Sequence, residues 1–176
     1  MKVFRVQGSS LENNEVSGLV HEPIIDQIRV TNSICWAPDG KTMYFADSPT
    51  KTIFKYDYED GIVSNKDTVI VYDVGVPDGS CTDSNGNIWN AVWRNGAGPS
   101  MVNCINPQTG KIIYTVKMPD DTSQITCCCF GGPELDVLFI STAKINLDST
   151  KEPNAGCVYA AKVGVRGCPE KRFSAA

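Results

Sequence analysis

A 46-residue interval recurs along this chain. Cys35, Cys81 and Cys127 are spaced by it, and so are Gly40, Gly86 and Gly132. A polar residue precedes each cysteine at one phase: Asn32, Asp78 and Gln124. A fixed period of roughly 40 to 50 residues carrying short strands marks the blades of a β-propeller. Equivalent blade positions face the same axis. The period therefore predicts the fold and also singles out the polar side chains that should converge on one place.

The segments between these markers read as strands. Lys41–Asp47 (KTMYFAD), Asn87–Trp93 (NIWNAVW) and Asp136–Thr142 (DVLFIST) are rich in aromatic and β-branched residues, which suit a pleated, half-buried surface. Each follows a turn signal: Pro38-Asp39-Gly40, Ser84-Asn85-Gly86 or Gly131-Gly132. Second runs follow at Thr52–Tyr58, Met101–Asn106 and Gly156–Val163, and outer strands at Asp67–Asp73 and Lys111–Met118. No helical periodicity of useful length competes. At the N-terminus, Lys2–Val6 reads as a third strand, Gly8–Gly18 as turn-rich, and Leu19–Arg29 as an outer strand. The expected organisation is all-β. It has a half blade over 1–30, whole blades over 31–76 and 77–122, a blade without its outer strand over 123–170, and a tail over 171–176. That is about three and a half four-stranded blades, fewer than the four to eight that close a ring. Open strand edges would then favour self-association.

Composition narrows the function. A net charge of −4 without a basic run argues against nucleic acid and anionic membranes as partners. No stretch approaches the roughly 20 apolar residues of a membrane span, and MKVFRVQGSS has no apolar signal core. The eight cysteines include the consecutive Cys127, Cys128 and Cys129, and Cys35 and Cys81 begin apolar strands. Reduced, buried thiols in a cytoplasmic setting are expected rather than disulfides. CxxC spacing is absent, so a structural zinc site is not expected.

Asn32 and Asp78 share the phase that leads into the innermost strand, near the channel mouth. A carboxylate and an amide oxygen converging there suit a hard cation such as calcium or magnesium. Phase also separates two look-alike tripeptides. Asp39 aligns with the turn residues Asn85 and Gly131, whereas Asp78 aligns with Asn32. The alternative is that Asp78-Gly79 is one more turn and that Asn32 caps a strand. One further carboxylate would be expected in such a site, and Gln124 is a poor substitute.

Long motifs resemble a known family. TNSICWAPDG (31–40), KTMYFADSPTK (41–51), FKYDYEDGIVSN (54–65), VPDGSCTD (76–83), GNIWNAVW (86–93), INPQTGKIIYTVK (105–117) and TCCCFGG (126–132) closely resemble the regucalcin/gluconolactonase/luciferin-regenerating-enzyme (senescence marker protein-like) family. VGVRGCP (163–169) is similar to its tail, and the resemblance runs over roughly residues 20–176. It implies a six-bladed, calcium-dependent lactonase-type propeller, present here as its C-terminal half. A central divalent metal would be held by a glutamate, an asparagine and an aspartate. The asparagine falls on Asn32 and the aspartate on Asp78, while the glutamate would lie upstream of Met1. Calcium is the expected ion, with zinc, manganese and magnesium as alternatives.

The implied chemistry is hydrolysis of a sugar-type lactone, with the metal polarising the ester carbonyl and Asp78 as candidate general base. With two of three ligands, the chain alone is expected to be truncated and inactive. The rival function is a non-enzymatic calcium-binding or regulatory propeller. The remaining candidates are weaker. His21, the single histidine, sits in a polar turn and lacks a GxSxG partner. Trp89 and Trp93 share one strand face and read as core, Arg94 as a pocket-rim residue, and the cysteine triplet as packing.

Overall fold

The computed structural model describes residues 3–5, 10–12, 15–17, 22–95, 98 and 100–170, with side chains described from residue 23 onward. His21 and the 171–176 tail lie outside the described residues. Two four-stranded antiparallel sheets follow each other along the chain. The first contains β5 (Thr31–Trp36), β6 (Thr42–Asp47), β7 (Thr52–Glu59) and β8 (Ile62–Val71) in sequential order. The second contains β9 (Val76–Thr82), β10 (Ile88–Trp93), β11 (Met101–Asn106) and β12 (Lys111–Lys117). A three-stranded sheet follows, made of β13 (Ile125–Gly131), β14 (Val137–Thr142) and β15 (Val158–Lys162). Near the N-terminus β1 (Val3–Arg5) pairs with β4 (Glu22–Ile25). Within the stretch read as turn-rich, β2 (Ser10–Glu12) and β3 (Glu15–Ser17) form a small hairpin. No described helix is long and apolar enough to cross a membrane.

The repeated glycines explain the strand spacing. Gly40, Gly86 and Gly132 have φ of 71°, 84° and 86°. Each therefore sits in the left-handed region that a hairpin turn after an innermost strand demands and that a side chain disfavours. The turn after β5 is completed by Asp39, whose Oδ1 accepts the Lys41 amide hydrogen at 2.9 Å.

Burial is organised between sheets. Tyr44, Ile53 and Val69 of the first sheet pack with Ile88, Val92 and Ile105 of the second. Trp89, Val102 and Cys104 of the second pack with Ile125, Cys128 and Leu138 of the third. Ile28, Met43, Phe45 and Tyr56 bury the other face of the first sheet, with Ile24 and Ile25 against them. Sheets stacked face to face, with β9 lying between β5 and β13, make this fold part of a β-propeller. After β15, the Gly167 backbone bridges to Asp83 of the second sheet. Its amide also donates to Leu135 O at 2.9 Å, so this segment ties the second sheet to the third.

The pairing registers fix which end holds the polar phase. Thr31 opposes Asp47, Val76 opposes Trp93, and Ile125 opposes Thr142. The innermost strands thus begin at the end of the sheets that also carries the connections 48–51 and 143–157.

Candidate metal centre

All three innermost strands break register near their starts, in β5 and β9 at the polar residue of the repeat and in β13 just after it. The irregularity falls between Asn32 and Cys35 in β5, beside Asp78 in β9 and between Ile125 and Cys127 in β13. A bulge of this kind bends the strand and re-aims a side chain out of strict alternation. Asn32 and Asp78 both lie inside strands, so Pro77-Asp78-Gly79 is part of β9 while Pro38-Asp39-Gly40 is a turn. Equal tripeptides adopt different structures because their repeat phases differ.

Hydrogen bonds link the two positions across the sheets. Asn32 Nδ2 donates to Ser48 Oγ at 2.9 Å, and Ser48 Oγ donates to Pro77 O at 2.7 Å. Ser33 Oγ donates to Asp78 O at 2.5 Å. The starts of β5 and β9 are therefore stitched together at Asn32 and at Ser33. With its Nδ2 engaged, the Asn32 amide has its oxygen left as the available end. Asp78 is half-buried, and burial raises its carboxyl from the ordinary aspartate range to about 6, against a lowering hydrogen bond from the Gly79 amide. None of the ion pairs formed among the described residues includes Asp78. A partly desolvated carboxylate without a cationic partner is an environment that a bound cation would relieve.

The third repeat position does something else. Gln124 is 1 % exposed. Its Nε2 donates to Ile145 O at 2.9 Å and its Oε1 accepts the Ile145 amide at 2.9 Å. Both ends of the amide are consumed in anchoring the 143–157 connection. Ser123, beside it, is held by Glu152, whose carboxylate accepts the Ser123 amide and hydroxyl hydrogens at 2.8–2.9 Å. Among the described residues, no three His, Cys, Asp or Glu side chains gather around one point. The donor set is one carboxylate and one amide oxygen, which fits a hard, oxygen-seeking cation completed by other oxygen ligands.

Trp89 has a structural role. Trp89 is buried, donates from Nε1 to Asp83 Oδ2 at 2.9 Å, and meets the Phe130 ring edge-on at 5.7 Å. Trp93 and Arg94 are half-buried at the end of β10, with the Arg94 amide donating to Ser123 O at 3.0 Å. All eight cysteines are free thiols. The expected burial holds for Cys35, Cys104 and Cys128 but not for Cys127, Cys129 and Cys157, which are exposed. Cys127 and Cys129 flank Cys128 on β13, where alternate residues point to opposite faces. Burial pushes Cys104 up to about 12 and raises Cys35, which opposes thiolate chemistry there.

Ser33, Ser48, Ser80 and Asn90 surround the site and escape notice in the sequence. One signal was available: Asn90 is the lone polar residue in the strand IWNAVW.

The family model described as SMP-30/Gluconolactonase/LRE-like region matches residues 3–144. The chain belongs to this family. Regucalcin of Danio rerio is 39 % identical over 157 residues, which is 85 % of this chain and 51 % of that protein. Among solved structures, the calcium-binding protein regucalcin of Agrobacterium tumefaciens superposes with a TM-score of 0.75 at 29 % identity, covering 84 % of this chain and 50 % of that one. A luciferin-regenerating enzyme superposes with a TM-score of 0.73, also at 29 % identity and the same coverage. The chain thus spans about half the length of the relatives it matches.

Proposed function

We propose that this chain supplies half of a divalent-cation site, through Asn32 and Asp78, to a lactone-hydrolysing propeller of its family, with calcium as the ion. The observation that carries this is the Asp78 carboxylate. It is half-buried and in none of the ion pairs among the described residues, beside the oriented Asn32 amide at the bulged starts of adjacent innermost strands. A bound cation would supply polarisation of the ester carbonyl.

The chain's own residues would do the rest. Ser48 holds the Asn32 amide in one orientation, and Ser33 holds the Asp78 main chain. The Asp78 carboxylate would orient the attacking water and take its proton as the water oxygen bonds to the lactone carbonyl carbon. When the ring C–O bond breaks, that proton returns to the departing oxygen and leaves the open hydroxy acid.

Two donors leave a cation largely to water, so the chain alone is expected to bind calcium only with a Kd on the order of 10⁻⁴–10⁻³ M and to show no gluconolactone turnover. Calcium titration of the purified chain, paired with a pH-stat assay of gluconolactone, tests this. Weak binding lost in Asp78→Ala supports the proposal. Binding equal in the two proteins removes Asp78 from the site. The alternative function, calcium binding without catalysis, would show as calcium binding to the chain's full-length relatives with no gluconolactone turnover in the same assay.

A further inference from the structure

Behind Asp78 lies a buried polar cluster in an otherwise apolar interface. Asn90, on β10, is 0 % exposed, and Ser33, on β5, is 2 % exposed. Ser33 Oγ donates to Asp78 O and accepts hydrogens from Ser80 Oγ and from Asn90 Nδ2, both at 3.0 Å. Asn90 Nδ2 also approaches Ser80 Oγ at 2.9 Å, Asp78 O at 3.3 Å and Gly79 O at 3.4 Å. Three strands from two sheets therefore meet at the Asp78 main chain.

This cluster is costly in two ways. The Asn90 Oδ1 atom is buried with no partner, a loss of about 1–3 kcal/mol. Ser33 has a φ of 56°, a left-handed conformation uncommon for a residue with a side chain. An aliphatic residue at 90 and a glycine at 33 would avoid both costs. The compensation lies at the bulge, where the Asp78 and Gly79 carbonyls leave the regular ladder and Asn90 and Ser33 meet them. The direction in which the Asp78 side chain leaves β9 is set by those carbonyls.

We propose that Asn90, Ser33 and Ser80 are positioning residues for the Asp78 carboxylate, with Asn90 as the hub, so that cation affinity depends on side chains that do not touch the cation. This rests on the reading of Asp78 as a ligand. Partners that orient a ligand typically contribute 10- to 100-fold to metal affinity.

The test is a terbium(III) titration by directly excited luminescence on the 176-residue chain and on Asp78→Asn, Asn90→Val and Ser33→Gly. Thermal unfolding of each in EDTA accompanies it. The expected result is saturable binding that Asp78→Asn abolishes and that Asn90→Val and Ser33→Gly weaken by about tenfold, with unfolding temperatures in EDTA no lower than that of the parent. If Asp78→Asn binds terbium as the parent does, or the parent shows no saturable binding, the ligand reading fails and the positioning role with it. If Asp78→Asn abolishes binding but Asn90→Val and Ser33→Gly bind like the parent, the positioning role alone is overturned. A loss of affinity that only tracks a loss of stability in EDTA also overturns it. Should Asn90→Val fail to fold, Ser33→Gly decides, because it relieves the left-handed backbone while removing the same hydroxyl.

Discussion

At the residue scale, the two sides of Asp78 make opposite demands. Gly79 must stay small. A Cβ there would stand 2.5 Å from Cys127 Sγ and 2.9 Å from Cys127 Cα, and the second contact is with backbone. Gly79→Ala should therefore destabilise the fold by about 1–3 kcal/mol through overpacking, read as a lower urea midpoint. Asp78 itself is held away from its preferred charged state. Its folded pKa is raised to about 6 by burial, so between the ordinary aspartate value and about 6 the folded chain binds more protons than the unfolded one. Stability without metal must then fall as pH rises through that window. Asp78→Asn should match the parent near pH 4, unfold at a higher temperature than the parent at pH 7 in EDTA, and lose the cation. Stability given up locally for function is a recurrent property of sites.

The phase of the repeat distinguished Asp78 from Asp39 in the sequence because strand and turn recur at fixed offsets. Ser33 and Asn90 were not legible in this way. They are 57 positions apart, and only the packing of one sheet on the next brings them together. Gln124 shares the phase of Asn32 and Asp78 but is captured by Ile145, and a connection of that length leaves no periodic trace.

At the element scale, the hairpin of β9 and β10 is held by one buried carboxylate. Asp83, 0 % exposed, accepts hydrogens from the Asn85 and Asn87 amides, from Asn87 Nδ2 and from Trp89 Nε1. Asp83→Ala strands these donors, among them an indole in the core between the second and third sheets, and should cost about 3 kcal/mol. The urea midpoint would drop, with the slope of the transition unchanged. The inner strands and their glycine turns were predictable because hairpin chemistry is local. The pairing of β2 with β3 was not, since the stretch lacks the alternation of aromatic and β-branched residues that marks the other strands.

At the scale of the whole molecule, the described sheets form successive blades, each core shared with its neighbour. β15 is an end strand of its sheet, and Val158 on it is 69 % exposed. A strand edge with no partner among the described residues, beside an exposed apolar side chain, favours pairing with another chain. The purified chain should therefore elute larger than a monomer in size-exclusion chromatography at high concentration. Val158→Lys should shift it toward the monomer, and a variant that elutes like the parent would remove β15 from the contact.

The central claim is that Asn32 and Asp78 share one cation. A calorimetric calcium titration of the parent chain, Asn32→Ala, Asp78→Ala and the double variant tests it most directly. The account expects each single variant to lose most of the binding, and the double variant to lose little more than Asp78→Ala alone. Two single losses that simply add, or calcium binding that neither substitution changes, would contradict it.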